Sequence, residues 1–574
     1  MAELSYVCGT SDKPLLFKTI GKAIEEAAQR WGQREALVVS HQGIRWTYAE
    51  LLARADDIAA GLLATGLAPG DRVGVWSPNN AEWVLAQLAT ARAGLIQVNI
   101  NPAYRLNELE YALSAVGCKA LILAERFKTS DYIGMVRTLV PELASAPPGQ
   151  VSSAALPALK TLVTISEKAH AGCIRFDDLT GLATAADRRR LSELQAVLQP
   201  DDPINIQFTS GTTGRPKGAT LTHHNSLNNG YFVTERQHFT SKDRLCIPVP
   251  LYHCFGMVMG VLGCITHGSC MVFPGEAFDP AITLAVAARE KCTALYGVPT
   301  MFIAMLEDPG FADHDLSALR TGVMAGSSCP ADVMKRVIAE MHMSDVTICY
   351  GMTETSPVSM QSNTDDPVEK RVSTVGQIHP FVEVKIIDDQ GRVLPRGQQG
   401  EFLTRGYSVM SGYWGDAEKT AEAIDRAGWM HTGDLAVMDD QGYVDITGRL
   451  KDMVIRGGEN IYPREVEEFL YTHPAVRDVQ VFGIPDDKYG EAVCAWIQLK
   501  EGAQADADAI KAFCKDQITH FKIPSHIRFV DAYPMTVTGK IQKFEMRNQM
   551  IEAFKTDAKQ HRRAKPSAQP QPGQ

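Results

Sequence analysis

Several features that would decide a function at once are missing from this chain of 574 residues. Its longest apolar run, Met257 to Ile265, stops at His267 and Gly268, well short of the ~20 residues a membrane-crossing helix needs. The opening MAELSYVCGTSDKP has no basic segment and no apolar one behind it, so a secretory signal is not expected. Positive charge is in deficit. Against 67 Asp and Glu stand 57 Lys and Arg, a net charge of −10, so a nucleic-acid partner is not expected. That leaves room for a local basic patch. Twelve cysteines are scattered without a repeated short spacing, so neither a zinc site nor a disulfide framework is expected. Cys246, Cys254, Cys264 and Cys270 lie in apolar surroundings and read as small core residues. A reducing cytoplasm is the expected compartment, with peripheral membrane contact left open.

What is present is an ordinary globular composition, 45% hydrophobic and 22% charged, long enough for three or four folding units. Strand-like and helix-like runs alternate over the first two-thirds. Val73–Trp76, Leu95–Ile100, Ala120–Ala124, Ile204–Phe208, Cys246–Pro250, Ser269–Phe273, Thr293–Tyr296, Thr321–Met324 and Val346–Cys349 read as strands. Ala81–Ala93, Ile282–Lys291 and Pro330–Met341 read as helices between them. The alternation predicts an α/β protein with parallel sheets. Near Thr374 the texture changes to short alternating runs with Gly turns, Val382–Ile387 and Gly400–Thr404, which predict a small β-rich subdomain. Past a boundary at Arg449–Asp452 a compact α+β unit follows: helix Arg464–Thr472, strands Asp478–Gly483 and Ala492–Leu499, helix Ala507–Ile518, strand Ile527–Val530. The expected division is therefore 1–449, 450–555, and a disordered tail at 556–574 that is basic and then rich in Pro and Gln.

One stretch stands out. Thr209 to Gly218, TSGTTGRPKG, packs three glycines, four hydroxyl side chains and two cations behind an apolar run. Thr209, Ser210, Gly211, Thr212, Thr213, Gly214, Arg215, Pro216 and Lys217 thus supply what a phosphate cradle needs: close backbone N–H groups, hydroxyl donors and charge. A Walker loop is excluded, because Pro216 precedes Lys217 and Gly218 follows it. This loop, YHCF at Tyr252–Phe255, YGVP at Tyr296–Pro299, AGSS at Ala325–Ser328 and YGMTE at Tyr350–Glu354 all begin at or just after the ends of predicted strands. In open α/β sheets that rim is where ligands bind.

Seven segments in order carry a resemblance to the adenylate-forming enzymes, in particular the AMP-forming acyl-CoA synthetases of the medium- and long-chain fatty acid type. They are TSGTTGRPKG, YHCFG at Tyr252–Gly256, AGSS, YGMTETSP at Tyr350–Pro357, HTGD at His431–Asp434, GRLKDMVIRGGENIYPREVE at Gly448–Glu467, and TGKIQK at Thr538–Lys543. The fit runs from WTYAEL near residue 46 to about residue 550. It implies a two-step reaction: carboxylate and ATP give an acyl-adenylate and pyrophosphate, then the thiol of coenzyme A gives acyl-CoA and AMP. It also implies that the C-terminal unit is mobile.

By that resemblance, Gly326, Ser327, Tyr350, Gly351 and Met352 join the nucleotide site, Thr353 binds the α-phosphate, and Glu354 holds Mg²⁺. Asp434 and Arg449 contact the ribose. Lys540 bridges the carboxylate and the α-phosphate, and Lys451 is the hinge about which the C-terminal unit rotates. Gly457, Gly458 and Glu459 line a channel for the pantetheine arm, and His253 gates the acyl pocket. Many relatives carry Asp at the hinge position; others carry Lys, as here. PMTVTGK around Lys540 resembles the segment acted on by lysine acetyltransferases and deacetylases. A homodimer stays open.

The acyl pocket is expected among Cys254, Phe255, Gly256, Met257, Gly297 and Val298, all small or apolar. The Asp that amino-acid-activating relatives usually carry in the segment corresponding to YHCFG is absent. A fatty acid of medium or longer chain is therefore the expected substrate. The alternatives are an aryl or other non-fatty carboxylate, or an enzyme that loads a carrier protein.

Overall fold

The computed structural model describes residues 3–209, 216–326, 329–456, 459–486, 489–515, 517–536 and 541–564. Two large sheets dominate it. In the first, the run from Ile174–Arg175 through Thr161–Ile165, Ala120–Ala124, Arg72–Trp76 and Ile96–Asn99 to Pro203–Thr209 is parallel. Strands Lys217–Thr222 and Gly412–Tyr413 then add antiparallel. The second sheet is parallel from Asp345–Gly351 through Thr321–Ala325, Ala294–Gly297, Arg244–Cys246 and Cys270–Phe273 to Glu35–Val39, with antiparallel strands at both edges. The architecture is thus the expected α/β one, with mixed rather than wholly parallel sheets.

Helices between the two sheets belong to one continuous apolar core. Ala81–Ala93 shows how the sequence builds it. Asn80 caps its start, its side chain accepting from the Trp83 N–H at 2.8 Å. Gly94 ends it with a φ of 68°, a left-handed conformation glycine adopts without strain. Every residue between except Glu82 is buried, and the helix packs on helices Ile20–Trp31 and Tyr48–Ala64 and on strand Ile96–Asn99. The apolar run near Met257 forms a π-helix, Phe255–Leu262, continuing into the α-helix Gly263–His267. It lies wholly buried, with its Val258 carbonyl only 2.7 Å from where a Cβ on Gly230 would stand.

Two elements end four residues before their expected bounds. The strand expected over Cys246–Pro250 is Arg244–Cys246; Pro248 and Pro250 lack the N–H that would continue it. The helix expected over Ala507–Ile518 is Ala507–Cys514.

The β-rich subdomain is an antiparallel five-stranded sheet: Tyr6–Cys8, Val382–Ile387, Gly400–Gly406, Met430–Met438 and Val444–Arg449. Its first strand comes from the start of the chain, which the sequence reading had not assigned.

The C-terminal unit has its own apolar clusters. Strands Val476–Asp486 and Gly490–Leu499 form its central hairpin, flanked by helices Pro463–Tyr471, Ala507–Cys514 and Lys543–Ala564. Among the described residues two ion pairs tie it to the rest, Arg464–Asp445 at 3.0 Å and Arg477–Glu307 at 2.8 Å. Arg477–Glu307 is exposed, and such a pair contributes only about 0–1 kcal/mol; Arg464 is half-buried and also donates to the Ile446 carbonyl. No helix among the described residues is long and apolar enough to cross a membrane.

Candidate active site

The site forms where the carboxyl ends of both large sheets meet. Thr209 is the last residue of its strand and Lys217 the first of the next, and the two are register partners in an antiparallel pair. The loop they bracket places Ser210, Gly211, Thr212, Thr213, Gly214 and Arg215 outside the described residues, as are Ser327, Gly457, Gly458 and Lys540. Pro216 is described, its carbonyl accepting from the Tyr111 hydroxyl at 2.9 Å.

Strand Asp345–Gly351 delivers the next group. Gly351 leaves the strand so close to the following turn that a Cβ there would sit 1.8 Å from the Pro357 carbonyl oxygen. Only glycine fits. After Met352 a single 3-10 turn, Thr353–Thr355, carries the buried Glu354. Its Oε1 accepts from the Thr209 hydroxyl at 3.1 Å and the Tyr413 hydroxyl at 2.9 Å. The Lys217 ammonium lies 4.4 Å from the centroid of the Tyr413 ring. The expected residues Thr209, Lys217 and Glu354 therefore do come together, through a tyrosine that was not expected.

A second carboxylate sits at the same strand end. Asp434 Oδ2 accepts from the Tyr350 hydroxyl at 2.6 Å, and its Oδ1 meets Arg449 Nε at 2.9 Å. Asp434 and Arg449 are register partners in neighbouring strands. The Asp434 N–H donates to the Thr432 hydroxyl at 3.1 Å. Desolvation and the Asp434 carboxylate both raise the pKa of the Tyr350 phenol, so it stays a donor. Tyr350 thus joins the large domain to the β-rich sheet. Lys451 follows directly, in the turn Leu450–Asp452 that leads into the C-terminal unit.

On the acyl side, Gly326 follows the strand Thr321–Ala325 with a φ of 98°, and a Cβ there would stand 3.1 Å from Val298. His253 lies two residues before the π-helix: its carbonyl accepts from the Gly256 and Met257 N–H groups, and its Nδ1 from the Phe255 N–H at 3.3 Å. A cavity of about 320 Å³ opens beside it, lined by Asn79, Tyr252, Glu276, Val298, Met301 and, from the C-terminal unit, Thr536. Val298 faces this cavity. Cys254, Phe255, Gly256 and Met257 are instead buried in the helix and its packing. Met257 Sδ, for example, takes contacts from the Asn99 and Gln207 amides at 3.1 and 3.2 Å. Gly297 packs on Phe302, a Cβ there being 3.0 Å from the ring.

From the C-terminal unit, Glu459 opens the strand Glu459–Ile461, paired with Val454–Arg456. Met535 and Ile541 pair across the residues that include Lys540, and Thr536 already lines the cavity.

Sequence reasoning missed Tyr413 and Thr432. Thr432 stands inside the quoted HTGD, where its hydroxyl could have been read as a turn donor. Tyr413 lies in SGYWGD, a stretch with no sign of chemistry; only its long-range pairing with Ala219 brings it in.

The model of the AMP-binding enzyme family matches residues 24–414, and that of the AMP-binding enzyme C-terminal domain matches residues 465–540. The YngI protein of Bacillus subtilis (strain 168) is 49% identical over 547 residues, covering 95% of this chain and 100% of that one. The mitochondrial medium-chain acyl-CoA ligase ACSF2 of Homo sapiens is 46% identical over 555 residues, covering 95% and 90%. Among solved structures, the anthranilate CoA ligase AuaEII in complex with anthranoyl-AMP superposes with a TM-score of 0.81 at 27% identity, covering 94% of this chain and 99% of the other. ATP-bound MatB from Rhodopseudomonas palustris gives 0.79 at 29% identity, covering 92% and 98%.

Proposed function

Because this chain belongs to the AMP-binding enzyme family, as an AMP-forming acyl-CoA synthetase, we propose that it activates a fatty acid of medium or longer chain. The carboxylate attacks the α-phosphate of ATP to give acyl-adenylate and pyrophosphate. The thiol of coenzyme A then attacks the acyl carbon and releases AMP. One observation carries the nucleotide part of this reading. A single strand end, Tyr350 to Glu354, connects two hydroxyl-bound carboxylates, Asp434 and Glu354. One suits a ribose and the other a metal-bound triphosphate.

The first step brings an anion to an anion, a repulsion of ~4 kcal/mol for unit charges at 4 Å and an effective dielectric near 20. Lys217 and Lys540 offset it. Glu354, a hard carboxylate beside two hydroxyl groups, fits Mg²⁺, which when bound would draw charge from the triphosphate. Asp434 and Arg449 hold the ribose, and Thr353 the α-phosphate. Lys540 bridges the reacting oxygens. The C-terminal unit turns about Lys451 to exchange Lys540 for the channel of Gly457, Gly458 and Glu459. Its sparse ionic ties to the large domain are consistent with such movement. His253 gates the acyl site.

Support for a fatty acid comes from the missing Asp in YHCFG and from the name of the ACSF2 relative. The likeness to an anthranilate CoA ligase keeps an aryl acid as the second reading. The deciding experiment measures pyrophosphate release with ATP and Mg²⁺ across carboxylates from C2 to C18 and aromatic acids, with coenzyme A and a carrier-protein thiol as rival acceptors. Each methylene added to the acid should gain up to ~0.8 kcal/mol until the pocket is full. Preference for acetate or an amino acid would sink the reading; preference for benzoates would install the second one. We place the reaction in a reducing cytoplasm, consistent with twelve free cysteines, and expect acetylation of Lys540 to silence adenylation by removing its charge.

A further inference from the structure

Tyr413 is unusual in touching both charged groups of the phosphate end at once. Its hydroxyl donates to Glu354 Oε1 at 2.9 Å, while the Lys217 ammonium rests 4.4 Å from its ring centroid. Thr209 donates to the same oxygen, Oε1. The other oxygen, Oε2, takes no hydrogen bond from the described residues. Lys217 forms no ion pair among them either, although a carboxylate stands on the far end of the ring it covers.

The backbone fixes this arrangement. Tyr413 pairs with Ala219, two residues beyond Lys217, in adjacent antiparallel strands. The Tyr413 N–H is held by the Thr420 hydroxyl at 2.9 Å. Glu354 is tied from its own side, its carbonyl accepting from the Met410 N–H at 2.9 Å. The ring is buried, at 7% exposure, so it has little freedom to swing away. A lysine and a glutamate this close in a partly dry site attract strongly. An ion pair between them would neutralise the cation meant for phosphate and occupy the carboxylate meant for a metal.

We propose that Tyr413 is a positioning residue that keeps Lys217 and Glu354 apart, holding the ammonium on its ring face for the nucleotide phosphates and the carboxylate on its hydroxyl for the magnesium ion. The proposal rests on the ATP reading of this site. The two contacts are separable. Tyr413→Phe keeps the ring under Lys217 and removes the hydroxyl from Glu354. Tyr413→Leu removes both and lets the charges collapse onto each other.

The test uses the full chain and reads binding as well as turnover. Mn²⁺ affinity in the ATP complex is followed by electron paramagnetic resonance, ATP affinity without metal by calorimetry, and pyrophosphate release against Mg²⁺ concentration. Tyr413→Phe should weaken Mn²⁺ binding and raise the Mg²⁺ requirement by ~10–100-fold, as for a lost hydrogen bond to a charged group, with metal-free ATP affinity kept. Tyr413→Leu should weaken both, metal-free ATP by ~3–10-fold for loss of the ring face and capture of Lys217. In both variants the KM for the carboxylate should hold, which general distortion of the site would not allow. The proposal is overturned if Tyr413→Phe keeps wild-type metal dependence, or if metal-free ATP affinity falls equally in the two variants. Should Tyr413→Leu fail to fold, the isosteric Phe variant still decides the metal arm. Wild-type protein that releases no pyrophosphate with any carboxylate would instead overturn the reading of the reaction itself.

Discussion

Asp434→Asn tests the ribose assignment most directly. A carboxylate offers about four lone-pair positions. Tyr350 and Arg449 take one on each oxygen, at 2.6 and 2.9 Å, which leaves room for two ribose hydroxyls. Asparagine keeps the shape but removes the charge. A hydrogen bond to a charged group contributes ~1.5–3 kcal/mol against ~1 for a neutral pair. Two weakened bonds therefore cost about 2.5 kcal/mol, or ~60-fold in ATP affinity. Calorimetry measures this, and 2′-deoxy-ATP isolates the contact. Wild-type protein should lose about 40-fold on the deoxy substitution and Asp434→Asn only about fivefold, because the bond removed is already weak. Affinity for inorganic triphosphate should not change, since it carries no ribose. Equal deoxy penalties in the two proteins would refute the assignment, and a parallel loss of triphosphate binding would mean that the variant had disturbed the phosphate end.

The other expectations concern the half-reactions and acid stability. Lys540→Ala should lose ~10²–10³ in adenylate formation yet make thioester from preformed acyl-adenylate at near wild-type rate; Gly458→Leu should do the reverse. Four rates settle it, and equal damage to both steps in either variant would defeat the two-pose scheme. Lys451→Pro, which fixes φ at the hinge, should spare adenylation more than thioester formation, and equal loss with folding intact would count against Lys451 as the pivot. Burial pushes the His223 imidazole down to about 3, where its Nδ1 accepts from the Ile20 N–H. The unfolded chain binds that proton below ~6.5 while the folded one does not, so stability should be full above that pH and fall by about 1.4 kcal/mol per unit beneath it. His223→Asn, which keeps an acceptor, should show a shallower decline between pH 7 and pH 5 in denaturant unfolding; an identical decline would refute the cause.

Local pattern carried much of this structure. Helix Ala81–Ala93 and strands Ala120–Ala124 and Val382–Ile387 stand where their periodicity put them, because cap, period and burial agree there. Strand Arg244–Cys246 fell short where prolines override an apolar run. The convergence of Thr209, Lys217, Glu354 and Asp434 was legible because every one lies in or beside a loop with a phosphate or turn composition. Tyr413 was not, since nothing local marks a tyrosine whose role depends on a strand pairing 194 positions away, Ala219 with Tyr413. The acyl pocket was the least legible part. Apolar residues of Phe255–Leu262 look alike whether they face a substrate or, as Met257 does, two core amides.

The strand Tyr6–Cys8 has a consequence for how the protein is made. Its partner, Val382–Ile387, follows so late that Tyr6 and Glu383, joined by a hydrogen bond, are 377 residues apart. At about 5–20 residues per second of synthesis, the partner leaves the ribosome roughly 20–75 seconds after the first strand does. Through that interval the nascent chain carries an unpaired edge segment, the kind of surface that invites wrong partners. The β-rich sheet can close only after much of both large sheets has been made. Slowing translation before residue 382 would lengthen that exposure, while the same pause after residue 406 would fall when the strand's neighbour, Val382–Ile387, and the strand beyond it, Gly400–Gly406, have already been synthesised.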